Sequence, residues 1–264
     1  MRRGLKTLGA VVGVVLVVVI GWGIAAYGTT TDAKAAMVSD ARVRVQQDES
    51  GAYRFSPLAT AKPVPVGLMF FPGGMVSAES YAPLARAVAA AGYPVILVPL
   101  PRRGMFGASW VPDALHIALG AIHEDERAVR WVLAGHSLGG ALAARLAIDL
   151  QGSGARIVAG VLLIGTTQPK NSVMIKYPFP VTKIVATNDG LAPIAEAEAN
   201  RAFLPPSTHW IRIEGGNHSQ FGWYGFQPFD HFASISRESQ HEQMINATLE
   251  ALRRASEIQA LRDR

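Results

Sequence analysis

The chain reads as an α/β protein: a mostly parallel central sheet with helices on both faces, preceded by one N-terminal transmembrane helix. Three observations predict this arrangement. From Val64 onward, short apolar runs without polar alternation take turns with longer stretches of helical periodicity, as expected of strands buried on both faces. One such run, Trp131-Val132-Leu133-Ala134, passes through Gly135-His136-Ser137-Leu138-Gly139 into an Ala/Leu-rich helical stretch, so strand, sharp turn and helix follow at once. Residues 8–26 carry no charge and are dominated by Val, while Arg2, Arg3 and Lys6 precede them.

That N-terminal run of about 19 residues can cross a hydrocarbon core of about 30 Å, and it exceeds the 7 to 15 residues of a signal-peptide core. Its basic flank sets the N-terminus in the cytoplasm and the rest of the chain outside, tethered to the cell membrane. Cleavage near Ala25, Ala26, Ala33, Ala35 or Ala36, giving a secreted protein, is the alternative. Residues 1–28 are therefore assigned to the flank and anchor, 29–40 to a small, polar stalk, and 41–264 to one folded domain.

The domain opens on a hairpin over 41–57: Val43 and Val45 share a face, Asp48-Glu49-Ser50-Gly51 turns the chain, and Tyr53 and Phe55 follow. Next come a strand at 66–71, a helix at 78–91, a strand at 94–98, a helix at 113–126 and the strand at 131–135. After Ser137 the pattern continues as a helix at 138–150, strands at 157–164 and 182–187, a helix at 193–203, a strand at 210–214 and a long helix at 238–261. No internal repeat is present.

At 264 residues, 49% hydrophobic and 17% charged, the chain is too apolar for a disordered or nucleic-acid-coating protein. It has no cysteine, which removes disulfides, thiolate metal sites and a cysteine nucleophile. The net charge of +5 is spread along the chain without a compact basic patch, favouring an anionic membrane surface over nucleic acid. No His pair has metal-ligand spacing, and the Gly73-Gly74 loop lacks a phosphate-binding pattern, so neither metal nor cofactor is expected.

The turn at Ser137 carries the chemistry. A serine hydroxyl becomes a useful nucleophile only when held clear of its own backbone and within reach of a base. A strained strand-to-helix turn does this, wants glycine at 135 and 139, and aims the Leu138 N–H at a developing oxyanion. The acid and the base should stand at the exits of later strands. Asn188-Asp189-Gly190 and Gly215-Gly216-Asn217-His218 follow two such strands, so Asp189 is expected to orient His218, and His218 to take the Ser137 proton. Asp113, Asp230 and His231 are the reserves. His136 is assigned to packing beside the site, and His116, His123, His209 and His241 to ordinary surface or core roles.

From about Val64 onward the chain resembles the α/β-hydrolase superfamily, and its dienelactone-hydrolase-like and esterase-like bacterial branch in particular. The resemblance rests on Phe70-Phe71-Pro72-Gly73-Gly74, Gly135-His136-Ser137-Leu138-Gly139, Asn188-Asp189-Gly190 and Gly216-Asn217-His218-Ser219-Gln220-Phe221-Gly222. It implies the α/β-hydrolase fold and a Ser-Asp-His triad. Where the superfamily often has a His-Gly pair before the oxyanion donor, this chain has Pro72; matching Gly73 to the family's glycine makes Gly74 the expected second donor, with Met75 behind it.

The short stretch 168–180 leaves room for only a minimal cap and implies an open site. Phe221 and Trp223, from a run that continues with Tyr224, Phe226, Phe229 and Phe232, are candidates to line a substrate pocket or to meet lipid. Arg102 and Arg103 are candidates for an anionic group on the substrate. The expected activity is hydrolysis of a small-molecule or lipid-like carboxylic ester through an acyl-enzyme. An acyltransferase with the same triad and a catalytically silent envelope-binding protein are the alternatives.

Overall fold

Eight strands form one sheet: β1 (Val43–Gln47), β2 (Tyr53–Pro57), β3 (Val66–Phe71), β4 (Val95–Leu97), β5 (Arg130–His136), β6 (Val158–Ile164), β7 (Val181–Ala186) and β8 (His209–Ile213). They lie in the order β1-β2-β4-β3-β5-β6-β7-β8. The computed structural model describes residues 12–13, 21–23, 25–58, 65–105, 108–123, 130–170 and 173–262. β1 and β2 form the expected antiparallel hairpin, with Val45 opposite Phe55, and β2 joins β4 antiparallel; every other pairing is parallel. The Asp48 carboxylate closes the hairpin turn, accepting from Ala52 N at 3.0 Å, Ser50 Oγ at 2.6 Å and Arg54 Nε at 2.7 Å.

Although β3 is apolar at every position, its side chains still divide by parity. Val66, Leu68 and Phe70 enter one core layer, and Met69 and Phe71 the other. The first layer lies under α2 (Ala82–Ala90) and α6 (Arg237–Arg262), the second under α3 (Val111–His123) and α4 (Leu138–Gly152). The mainly polar α6 docks because Met244, Ala247, Thr248, Ala251, Leu252 and Ala255 recur at three- and four-residue spacing and make one buried stripe. The α-helix expected over 78–91 begins as a 3-10 turn, Ala78–Tyr81, and becomes α-helical at Ala82, where Pro83 needs no hydrogen-bond acceptor. The helix expected over 193–203 divides into α5 (Ile194–Ala199) and a 3-10 turn, Arg201–Phe203. Among the described residues of 165–180 there is no helix, in keeping with a minimal cap.

The chain leaves β3 on one side for β4, then returns to β3's other side for β5. Strand order therefore reverses between β3 and β5, and the carboxyl ends of neighbouring strands splay into a crevice there. The Pro72-Gly73-Gly74 loop and the Ser137 turn leave from these two strand ends, with Phe71 paired to Gly135.

At the N-terminus the structure revises one expectation. The assigned stalk contains α1 (Thr31–Ala35), capped by Thr30 Oγ1 accepting from Ala33 N and docked so that Ala33 is fully buried. Small residues there serve close packing against the domain rather than reach. Most of the expected transmembrane run lies outside the described residues, and among the described residues no helix is long and apolar enough to cross a membrane.

One buried charge gives the fold a pH signature. Lys183, on β7, is fully buried, and burial pulls its ammonium from the ordinary 10.5 down to about 7; its Nζ donates to the Gln168 carbonyl in the loop after β6. Between those two values the unfolded chain binds more protons than the folded one, so stability should rise as pH increases from 7. Chemical denaturation from pH 7 to 9 should show wild type gaining roughly 1–2 kcal/mol that Lys183→Met does not gain.

Candidate active site

Ser137 stands between β5 and α4 with φ 53° and ψ −117°, a conformation that side-chain-bearing residues rarely adopt. Its N–H donates to Ile164 O of β6 at 2.9 Å, tying the turn to the sheet. The flanking glycines are required by contact. A Cβ at 135 would lie 2.2 Å from the Gly139 carbonyl carbon, and one at 139 would lie 2.1 Å from Phe71 O. Among the described residues Ser137 Oγ has no hydrogen-bond partner, so the hydroxyl is uncommitted.

Asp189 and His218 meet as expected. His218 Nδ1 lies 3.0 Å from Asp189 Oδ1 and 2.9 Å from Oδ2, and both side chains are buried. Asp189 Oδ1 also accepts from Leu191 N at 2.9 Å and Ala192 N at 2.6 Å, which fixes the carboxylate before it meets the ring. With Nδ1 directed at Asp189, Nε2 is the nitrogen left to exchange a proton with a serine.

Asp230, a reserve candidate for the acid, has a different place. Its Oδ1 accepts from Gly190 N at 3.0 Å, His218 N at 3.3 Å and His231 N at 2.9 Å; its Oδ2 accepts from Ser219 N at 2.8 Å and Ser219 Oγ at 2.6 Å. One buried carboxylate thus clasps the Asp189 loop to the His218 loop. All five partners are donors, so an amide in its place would point N–H at N–H. Asp230→Asn should lower stability by roughly 2–4 kcal/mol and the turnover number by about tenfold or more. Denaturant melts and steady-state kinetics on one preparation check both.

The oxyanion candidates separate on hydrogen bonding. Leu138 is the first residue of α4, where a helical N–H has no partner within its helix. Met75 must be corrected: its N–H donates to Arg103 O at 2.6 Å and is spoken for. Gly73 N donates to the Tyr81 hydroxyl at 3.1 Å, and Val76 N to Gly73 O at 3.2 Å. Gly74 N–H is the donor of this loop left without a partner among the described residues. A Cβ there would stand 3.2 Å from Leu138 Cδ2, so the two residues are neighbours.

The substrate-binding candidates fare differently. Phe221 is completely buried, its ring centroid 5.4 Å from that of His136, and packs behind the imidazoles instead of lining a pocket. Trp223 packs edge-on against His241, with the Arg237 guanidinium 5.9 Å from its ring. Arg102 and Arg103 are exposed and lie outside the residues lining the two clefts beside Ser137. Their contribution is through the backbone: both have left-handed φ, 51° and 53°, which turns Arg103 O toward Met75 N.

Those clefts share Leu138 and Ala141 in their linings. One, of about 230 Å³, is lined by Ser137, Gly165, Thr166, Thr167, Gln168, Leu191 and Ala192. The other, of about 410 Å³, is lined mainly by apolar groups of Gly104, Ala108, Trp110, Val111 and Leu142, with Arg145 at its edge.

Sequence reasoning missed Tyr81. Its hydroxyl receives the Gly73 N–H and lies 2.8 Å from His136 Nδ1, to which it can then donate. Burial and the neighbouring His218 hold the His136 imidazole neutral, far below its usual range. A neutral ring suits its position, with its centroid 4.3 Å from that of His218, where a second cation would oppose charge on the base. Of the other histidines, His241 is buried and drawn down to about 3 by desolvation, and His209 faces Glu250 at 3.5 Å. Among the described residues no cluster of His, Asp and Glu could hold a metal ion.

A family profile described as the alpha/beta hydrolase family matches residues 67–242. No curated protein matches the chain. Solved structures share the fold at low identity. A bacterial heroin esterase superposes with a TM-score of 0.59 at 18% identity, covering 84% of this chain and 88% of its own. A Pyrobaculum calidifontis esterase gives 0.60 at 19%, with 83% and 89% coverage. A thermostable carboxylesterase cloned from a metagenomic library gives 0.56 at 18%, with 83% and 92%.

Proposed function

Because the chain belongs to the alpha/beta hydrolase family, we propose that it cleaves carboxylic esters through a serine acyl-enzyme, with Ser137 as nucleophile, His218 as base and Asp189 as its partner. The observations that carry this reading are the two-oxygen contact of the Asp189 carboxylate with His218 Nδ1 and, on the turn after β5, a strained serine whose hydroxyl is uncommitted.

In this reaction His218 Nε2 takes the Ser137 proton as Oγ attacks the ester carbonyl. The Leu138 and Gly74 N–H groups receive the negative charge that develops on the carbonyl oxygen. Asp189 stabilises the imidazolium, which returns the proton to the departing alkoxide. Water, deprotonated by the same imidazole, then releases the acid. The apolar cleft beside Leu138 suits one hydrocarbon arm of the ester, and the smaller cleft the other. Esterase structures of the same fold add to this reading.

A burst of p-nitrophenol, equal in amount to the enzyme and followed by slower turnover, is expected with short-chain p-nitrophenyl esters. Steady turnover unaffected by Ser137→Ala would reject the acyl-enzyme. Added alcohol separates hydrolase from acyltransferase, since a transferase diverts the acyl group to a new ester and leaves free acid scarce.

We also assign residues 8–26 to a membrane anchor with the folded domain outside the cytoplasm. Their lack of charge and the preceding Arg2, Arg3 and Lys6 support this. Retention of the intact chain in carbonate-washed membranes is expected; release of a shortened chain would indicate a cleaved signal.

A further inference from the structure

We propose that the face formed by Phe226, Phe229 and Phe232 docks on a lipid bilayer and sets the mouth of the Ser137 cleft at the lipid boundary. The aromatics that follow His218 divide sharply. Phe221 and Tyr224 are fully buried, whereas Phe229 is 89% exposed, Phe232 82% and Phe226 36%. Phe226 and Phe232 stack at 4.9 Å and form one exposed patch, with Phe229 between them in the same loop. Phe229 is held outward by its backbone: its φ is 68°, and the next residue is Asp230, whose carboxylate clasps the loops on either side. Turning that ring inward would disturb the clasp. Between residues 221 and 236 the titratable groups are Tyr224 and Asp230, both buried, and His231.

Two neighbours fix what this patch meets. On one side it borders the cleft: Asn188 Nδ2 donates to Phe232 O at 3.1 Å, and a Cβ on Gly190 would stand 2.7 Å from Phe229 O. The next residue, Leu191, is itself 39% exposed and lines the cleft with Ser137. The same loop also meets the end of the uncharged run 8–26. Ala25 O would be 2.0 Å from a Cβ on Gly225, Ala26 is buried, and Thr30 N donates to Trp223 O at 3.0 Å. The most apolar segment of the chain thus arrives at the base of the exposed aromatic loop. A bilayer that receives that segment lies against Phe226, Phe229 and Phe232, and an ester partitioned into it faces Leu191 and Ser137. The surface contact rests on the anchor reading of residues 8–26 together with this geometry; the delivery of an ester rests on the ester-cleaving reading.

The absence of cysteine allows a direct test on the full chain. Phe232→Cys and Ser153→Cys, the latter exposed just beyond α4, would each carry a nitroxide in phosphatidylcholine vesicles. The expected result is preferential collision of the label at 232 with oxygen, against preferential collision with a water-soluble nickel chelate at 153. Equal nickel accessibility at both sites would overturn the proposal. Protection of position 232 from both reagents would also overturn it, assigning the face to a second copy of the chain. In parallel, Phe226→Ser/Phe232→Ser should turn over soluble p-nitrophenyl acetate as wild type does, while losing about tenfold on an ester carried in the vesicles. Failure of wild type on the soluble ester would count against the ester-cleaving reading and leave the accessibility result standing.

Discussion

Ser137→Ala should abolish ester hydrolysis, with a fall in kcat of at least about 10⁴-fold, while the far-ultraviolet spectrum and denaturation midpoint stay near those of wild type. The size follows from the site. With Oγ removed, His218 and Asp189 retain their contact but have no nucleophile to activate, and the two backbone donors polarise a carbonyl that only water can attack. Stability should hardly change, because Ser137 Oγ has no hydrogen-bond partner among the described residues and the strained backbone at φ 53° is held by Ile164 O, not by the side chain. Active-site titration and melting of both proteins check this, and unchanged turnover would remove Ser137 from the mechanism.

Gly139→Ala should produce the largest loss of stability among single substitutions near the site. The new Cβ would stand 2.1 Å from Phe71 O, 2.5 Å from Phe71 C and 2.5 Å from Pro72 O. These are backbone atoms, so no side chain can rotate away, and β3 or the start of α4 must move. A cost above about 4 kcal/mol is expected, as for other severe overpacking against a fixed frame. Any folded fraction should also be slow, because Phe71 and Pro72 carry the loop with the Gly74 N–H. A melt within a degree of wild type would show that the turn is looser than the contacts indicate.

The parts of this architecture that were legible in sequence share one physical basis. The central strands show as apolar runs because a sheet covered on both faces leaves few polar positions, and the strand ends fall within a residue or two of expectation. The meeting of Asp189 and His218 was legible because each follows such a run directly. What escaped depends on contacts between distant segments. Tyr81 reaches His136 across 55 residues, and Asp230 reaches Gly190 across 40. Nothing local marks either one. The commitment of Met75 N–H required Arg102 and Arg103 to be left-handed, a conformation that their side chains disfavour. Aromatic density after His218 was plain, but irregular loops have no period from which inward Phe221 could be told from outward Phe229. The docked α1 looked like a stalk because small residues suit both close packing and flexible linkers.

Mass-spectrometric mapping of a fluorophosphonate adduct on the full chain tests the central claim most directly. The account predicts one stoichiometric modification, on the peptide bearing Ser137, that is lost in His218→Ala and blocked by prior turnover of a slow ester. A folded wild-type protein that takes up no label, or carries it on a different serine, would contradict it.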